Sequence, residues 1–296
     1  MPLVRVPATT ANLGPGFDTL GMALNLFDEL IIEESSSPEI IITGEGEGTI
    51  PRGQENIAYR AARAVFTKVG RPPVPLKLEM HNSIPVARGL GSSAAALVAA
   101  IVGTNAILGE PLSPAELVNL ATTLEGHPDN VAPAILGGLV ASARDGEQVI
   151  CRRLELPPGL VTVVAIPQFT LSTRVSRGVL PARVALEDAV FNISRVALLL
   201  AAVATGDLEL MGRMMVDKLH QPYRLPLVPG MAEVFAAARE AGALAVTLSG
   251  SGPTVIAFCR GRQPEVGPAM AAAFARKGVK CTVKELAPCN HGAVVI

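Results

Sequence analysis

Two short glycine-bearing loops carry the residue types that phosphate chemistry needs. The run Pro85-Val86-Ala87-Arg88-Gly89-Leu90-Gly91-Ser92-Ser93-Ala94-Ala95 leads from a strand ending near Ile84 into a helix made almost wholly of small and apolar residues. Glycines at 89 and 91 let backbone N–H groups converge, and the helix dipole with its unpaired first-turn N–H groups then faces a bound anion. Ser92 and Ser93 stand at the helix entry, and a hydroxyl there can also bind Mg²⁺. No Lys follows in a Gly-Lys-Ser/Thr sequence, so the loop is not of the Walker A type. A purely structural turn needs one glycine and one cap, so the cluster reads as a phosphate cradle. The second loop, Leu248-Ser249-Gly250-Ser251-Gly252-Pro253-Thr254, would be an ordinary turn if alone; near another anion loop its amides complete a cradle. Gly44-Glu45-Gly46-Glu47-Gly48 carries two carboxylates that repel phosphate, and it reads as a turn.

The elements that must position these loops are legible from periodicity. Leu76, Leu78 and Met80 alternate with Lys77, Glu79 and His81, which predicts a half-buried strand ahead of the first loop. Before it, Ile57, Ala61, Val65 and Val69, with Ala58, Ala62 and Phe66, form a helical stripe that Asn56 can cap. Ser113-Pro114-Ala115-Glu116 starts another helix, with a cap, a first-turn Pro and a capping-box Glu. The helix over Ser92–Leu108 has almost no polar face, so it must be buried, and its small side chains let neighbouring backbone approach closely. Leu156-Pro157-Pro158-Gly159 is the best domain boundary, which predicts units of 1–156 and 157–296. A strand over Val161–Ile166 follows, then a long helix within Ala182–Ala204 and two shorter helices. Strands over Leu244–Leu248 and Val255–Cys259 flank the second loop, and a last helix and strand occupy Pro264–Leu286. Strands and helices mix without strict alternation, which predicts an α+β fold rather than a doubly wound sheet.

Composition narrows the function. The 296 residues are 49% hydrophobic and 17% charged, enough for a full core in two domains. A net charge of −1, 3% aromatics and no Trp disfavour a nucleic-acid surface or a base-stacking platform. Unbroken apolar stretches such as Ala94–Val102 and Val196–Ala204 fall short of the about 18 residues that a span requires. The N-terminal MPLVRVPATT has no apolar signal core, so the expectation is a soluble, cytoplasmic protein acting on small molecules. The four cysteines, Cys151, Cys259, Cys281 and Cys289, form no C-x-x-C pair and read as small buried thiols.

Three segments together resemble the signature of the GHMP kinases, which act on galactose, homoserine, mevalonate and phosphomevalonate. They are Pro7-Ala8-Thr9-Thr10-Ala11-Asn12-Leu13-Gly14-Pro15-Gly16-Phe17-Asp18, the Gly89–Ala96 loop and the Ser249–Thr254 turn, and the resemblance runs essentially the full length. Glu125-Gly126-His127-Pro128-Asp129-Asn130-Val131-Ala132-Pro133, the Ser172-Thr173…Arg177 spacing and His220-Gln221-Pro222-Tyr223-Arg224 resemble the branch whose acceptor is L-homoserine. The resemblance implies an N-terminal domain like ribosomal protein S5 domain 2, with a left-handed βαβ crossover, and a ferredoxin-like C-terminal domain. It implies transfer of the ATP γ-phosphoryl group to the side-chain hydroxyl of L-homoserine, giving O-phospho-L-homoserine for threonine synthesis. A homodimer follows from the same analogy.

By that resemblance, residues 85–95 contact ATP through the Gly89–Ser93 amides, and Ser93 and Glu125 bind Mg²⁺. Asn56 matches an adenine-contacting position and is equally a plain helix cap. Arg177 and Arg224 would fork onto the acceptor carboxylate, Asp18 with Asn12 would meet its ammonium, and His127, Asn130, Thr173 and Gly250 would complete the lining. Asn130 aligns with the Asp that mevalonate-type relatives use as a base, and an amide cannot take that proton, so transfer to the phosphoryl oxygens is expected; Asp129 next door is the weaker alternative. Ala245 stands shortly before the third motif where many relatives have Gly. Other readings stay open: a mevalonate-type kinase, a catalytically silent metabolite sensor, or an S5-like nucleic-acid module.

Overall fold

The computed structural model describes residues 1–296. The chain opens with a hairpin of two long strands, β1 (Leu3–Ala11) and β2 (Leu20–Glu34), then β3 (Glu39–Gly44), α1 (Ile57–Lys68) and β4 (Leu76–Asn82). β3 and β4 pair in parallel with α1 as the crossover, and every other pairing in the molecule is antiparallel. Asn56 caps α1 as its sequence position predicted, accepting from Ala58 N and Tyr59 N. The apolar α2 (Ser92–Ile107) then crosses the sheet, with Gly103 where an added Cβ would sit 2.6 Å from Ile32 Cγ2. Ten of its residues are buried, which is the only stable placement for a helix with no polar face.

Next, α3 (Pro114–Glu125) begins at Ser113, where both bonds of the capping box form. Such a cap is worth about 1 kcal/mol, and here it starts the helix whose last residue is Glu125. After α4 (Pro128–Leu136), a hairpin of β5 (Leu139–Asp145) and β6 (Gln148–Leu154), which the sequence patterns did not signal, extends the sheet from the Leu20–Met22 end of β2.

The second sheet is built from β7 (Leu160–Pro167), β8 (Ala245–Leu248), β9 (Val255–Arg260) and β10 (Cys281–Leu286) in the order β10-β7-β9-β8. Between β7 and β8 come α5 (Thr173–Gly178), α6 (Leu186–Thr205), α7 (Leu208–Met214), α8 (Gln221–Arg224) and α9 (Met231–Glu240). Three helices thus follow α6 where two were expected, because the four-residue α8 is too short for a periodic signal. α10 (Val266–Ala275) precedes β10, and β11 (Val294–Val295) returns to the first sheet beside Val4 and Arg5. The main core of 49 residues draws Val164, Ile166, Ile256 and Phe258 from the second sheet, so one apolar body supports both sheets. A second cluster of 16 residues fills the space under α9 and α10.

Two expectations need correction. Cys259 and Cys289 are buried, but Cys151 and Cys281 are only half-buried because they lie on the edge strands β6 and β10. α6 exceeds the unbroken apolar stretches counted in the sequence: over its 20 residues the scattered Glu187, Asp188 and Arg195 leave it apolar enough by composition to cross a membrane. Its inner face is docked on the protein, through buried Asn192, Leu199, Ala202 and Val203.

Candidate active site

The three motifs converge by backbone and side-chain bonds that tie both sheets together. Leu90 O accepts from Thr9 N, Arg88 O from Thr254 N, and Ala11 O from Gly250 N. The Ser249 hydroxyl donates to Gly89 O at 2.6 Å and lies 2.9 Å from Thr10 Oγ1. Upstream, the buried Asp28 of β2 accepts from Ser83 N and Ile84 N, which pins the end of β4 where the chain enters the loop. Burial pushes its carboxyl up to about 6.

Glycine is required at two of these positions. At Gly89 (φ +78°) a Cβ would lie 2.3 Å from Ser249 O, and at Gly91 (φ +75°) 2.0 Å from Thr9 Oγ1. Of the five non-glycine residues with positive φ, Asn12, Leu13 and Asp18 sit in the first motif and Ala87 just ahead of the second, so the strain is concentrated at the site. Gly89→Ala is expected to cost about 1–3 kcal/mol of stability and to weaken nucleotide binding at least about tenfold, read by thermal melting and nucleotide titration.

A cavity of about 330 Å³ lies at the N-terminus of α2. Its floor is Arg88, Gly89, Gly91, Ser92 and Ser93, and one wall is the aliphatic trio Ile50, Ile57 and Met80. Glu125 approaches from the end of α3, and Ser93 Oγ donates to its Oε2 at 3.2 Å. Burial raises the Glu125 pKa against the opposing charge of His127 and the Ser93 bond. A desolvated carboxylate beside a hydroxyl is a hard oxygen pair suited to Mg²⁺, which takes few protein ligands and completes its shell with phosphate and water. No cluster of three or more His, Cys, Asp or Glu residues forms a metal cage.

Next to it is a second cavity of about 30 Å³, lined by Asn12, Phe17, Asp18, His127, Asp129, Asn130, Thr173, Arg177, Arg224, Gly250 and Ser251. His127, Asn130, Thr173, Gly250 and Ser251 line both spaces, so the small cavity opens onto the large one. All eight acceptor residues named from sequence therefore meet at one place.

Charge dominates the small cavity. Arg177 and Asp18 form a two-point ion pair, Nη1–Oδ2 at 2.9 Å and Nη2–Oδ1 at 2.6 Å, and that hydrogen bond raises the Arg177 pKa. Asn12 holds the turn around Asp18: its Oδ1 accepts from Asp18 N and its Nδ2 donates to Gly250 O. Arg224 is 1% exposed, with Nε donating to Ser176 O and Nη1 to Gly250 O and His220 Nδ1. Burial, with Arg177 nearby, pushes it down to about 10. For His220 to accept from Arg224, its proton sits on Nε2, which donates to Gly14 O at 2.8 Å; burial lowers its pKa and favours that neutral form. Phe17 stacks on His220 and has both Arg177 and Arg224 over its ring, at 5.4 and 5.3 Å.

At the junction of the cavities, His127 Nδ1 lies 2.6 Å from Asp129 Oδ1. Burial would lower the His127 pKa, but the Asp129 bond and charge outweigh it and raise it. Thr9 Oγ1 donates to Asn130 Oδ1, which turns the Asn130 amide nitrogen toward Asp129.

Not every nucleotide-loop residue reaches the cavity. Pro85, Leu90, Ala94 and Ala95 are buried behind its wall. Asn56 also lies outside the lining, its side chain engaged with Ala58 N, Tyr59 N and Pro51 O. Ile50, Leu171, Ser172, Ser251 and Phe17 join the lining without having been singled out as site residues. Phe17, Ser172 and Ser251 lie within the quoted motifs, and Phe17, directly after the Gly14-Pro15-Gly16 turn, is the one large aromatic among them.

The family model for the GHMP kinases N terminal domain matches residues 56–138, and that for the GHMP kinases C terminal matches 199–276. The chain is 96% identical to the homoserine kinase of Moorella thermoacetica over 296 residues, all of both chains. It is 47% identical to the homoserine kinase of Carboxydothermus hydrogenoformans, covering 99% of this chain and 96% of that one. The crystal structure of homoserine kinase from Cytophaga hutchinsonii superposes with a TM-score of 0.90 at 31% identity, over 100% and 97% of the two chains.

Proposed function

From the premise that this chain belongs to the GHMP kinase family, among its homoserine kinases, we propose that it transfers the γ-phosphoryl group of ATP to the side-chain hydroxyl of L-homoserine, forming O-phospho-L-homoserine. One observation carries the reading: a cavity walled by the guanidiniums of Arg177 and Arg224 and the carboxylates of Asp18 and Asp129 opens onto the glycine loop at the N-terminus of α2. Homoserine has one carboxylate, one ammonium and one hydroxyl, and each has a counterpart here. Arg177 and Arg224 fork onto the carboxylate, Asp18 held by Asn12 receives the ammonium, and the hydroxyl is left toward His127 and Asn130.

The N–H groups of Gly89–Ser93 and the first turn of α2 hold the nucleotide phosphates, and Ile50, Ile57 and Met80 offer a flat apolar wall to its base. Ser93 and Glu125 would hold Mg²⁺, which neutralises phosphate charge when bound. The chain's own contribution is positioning and charge, which is most of what a loose phosphoryl-transfer transition state requires. Asn130 cannot take the hydroxyl proton, and the nearby Asp129 oxygen is bound by both His127 and Asn130. The proton therefore leaves with the transferring phosphoryl oxygens. Mevalonate has no ammonium and would leave Asp18 without a cation. An ADP-release assay across homoserine, mevalonate, galactose and no acceptor is expected to show turnover with homoserine alone; turnover with mevalonate in its place overturns the reading.

A further inference from the structure

The β5–β6 hairpin sets a third cavity against the acceptor site. Its volume is about 480 Å³; Thr19, Ser142, Ala143 and Arg144 line it, and it shares Asp18 and His127 with the acceptor cavity. With the nucleotide cavity it shares His127 alone. Ser142 N donates to Thr19 O at 2.9 Å, which continues the Leu20–Ala141 register of β2 and β5 and fixes the hairpin beside the Asp18 turn. Two residues further on, Arg144 bonds Gly126 O and Thr122 O through Nη2 only, so its Nε and Nη1 are left without a partner in the chain. The Asp18 and Arg177 side chains are 34% and 36% exposed, so the ion pair that closes the acceptor cavity also reaches the outer surface.

The acceptor cavity therefore has two mouths. One is the rim of His127, Asn130, Thr173, Gly250 and Ser251 that it shares with the nucleotide cavity; the other is walled by Asp18 and His127. In the reading above, homoserine lies with its hydroxyl on the nucleotide side and its charged end at Asp18 and Arg177. Arriving by the nucleotide side, it would lead with a carboxylate past the triphosphate, bringing like charges together where little water screens them. Arriving by the third cavity, it leads with the neutral hydroxyl and reaches its final orientation without turning round. The charged end then trails, and the third cavity offers it one guanidinium, Arg144, and one carboxylate, Asp18. The ammonium can settle on Asp18 while the carboxylate passes from Arg144 to Arg177. No charge is stranded at any stage of that exchange, whereas opening the Asp18–Arg177 pair unaided would strand two.

We propose that this third cavity is the port by which the acceptor reaches its site while nucleotide is bound, with Asp18 as its inner wall and Arg144 as the group that meets the incoming carboxylate. The inference rests on the acceptor reading above and adds to it a route and a residue that lies outside the acceptor lining.

The test plugs the port and compares rates with equilibrium. Ala143 is exposed and lines neither the acceptor nor the nucleotide cavity. In Ala143→Cys the introduced thiol is capped with a pyrene methanethiosulfonate, and the unmodified chain treated alike controls for the half-buried Cys151 and Cys281. A blocked passage slows arrival and departure equally and leaves the equilibrium untouched. The capped protein is therefore expected to lose at least about tenfold in kcat/KM for homoserine at saturating ATP, while its Kd for radiolabelled homoserine stays within about twofold. That Kd is read by equilibrium dialysis with a non-hydrolysable ATP analogue bound, and reductant is expected to restore the rate. An unchanged kcat/KM overturns the proposal, and so does a Kd that rises in step with the loss, the mark of damage to the site itself. Failure of the acceptor reading shows separately, as absence of homoserine turnover in the untreated, unmodified chain.

Discussion

Glu125→Ala is expected to lower kcat by about 10³-fold or more while nucleotide still binds, because the residue's work is confined to the charge that develops during transfer. The structure separates the two functions. In the proposed reading nucleotide phosphates rest on N–H groups of the Gly89–Ser93 loop and α2, whereas the Glu125 carboxylate faces that loop from the end of a different helix. Its position is set from afar: the capping box at Ser113 starts α3, Gly126 ends it in the left-handed conformation, and Arg144 donates to Gly126 O at 2.7 Å. Burial raises the Glu125 pKa, and a cation held beside the carboxylate would favour its ionised form. Glu125→Gln keeps the shape and the Ser93 contact and removes the charge, so it is expected to match the Ala variant in kcat. Equilibrium titration with ATP and steady-state kinetics across Mg²⁺ concentrations measure the two effects separately. A Gln variant within tenfold of normal turnover removes Glu125 from any metal site.

What the sequence could say about this site followed from how local each signal was. Ser113 with Glu116, and Asn56 before an apolar stripe, are interactions within three residues, so caps and helix starts were readable directly. The Gly89 and Gly91 cluster was readable as a cradle for the same reason, although the necessity for glycine arises from Ser249 and Thr9, far away in the chain. The eight acceptor residues were assembled by resemblance, since no periodicity connects Asp18 with Arg177 across 159 positions. The β5–β6 hairpin gives no clear periodic signal because little of it is fully buried: β5 begins buried at Leu139 and Val140, while β6 packs only through the half-buried Val149, Cys151 and Leu154. The support beneath Arg224 was equally invisible. It depends on Asn192 of α6 meeting Asp217 and His220 of the segment before α8, and each by itself looks like an ordinary polar residue.

Asp18→Asn is expected to reduce kcat/KM for homoserine by about 10²- to 10³-fold, the usual consequence of deleting one partner of a close charge pair. The more telling effect lies with incomplete acceptors. In the present geometry Asp18 and Arg177 satisfy each other, so an incoming ligand must divide them. A zwitterion can, because its carboxylate replaces Asp18 on Arg177 while its ammonium replaces Arg177 on Asp18. With 4-hydroxybutanoate the carboxylate claims Arg177 and strands Asp18; with 3-aminopropan-1-ol the ammonium claims Asp18 and strands Arg177 next to Arg224. Each half-substrate therefore loses its own missing contact and also the pair it breaks. Once Asn stands at 18, the anion no longer strands a charge, and turnover of 4-hydroxybutanoate is expected to rise above that of the unmodified enzyme even as homoserine turnover falls. The KM for ATP should stay within about twofold, since Asp18 lies outside the nucleotide cavity. Parallel losses for homoserine and 4-hydroxybutanoate would show that the ion pair plays no part in selecting the acceptor, whereas a crossing of the two series ties selectivity to the pair itself.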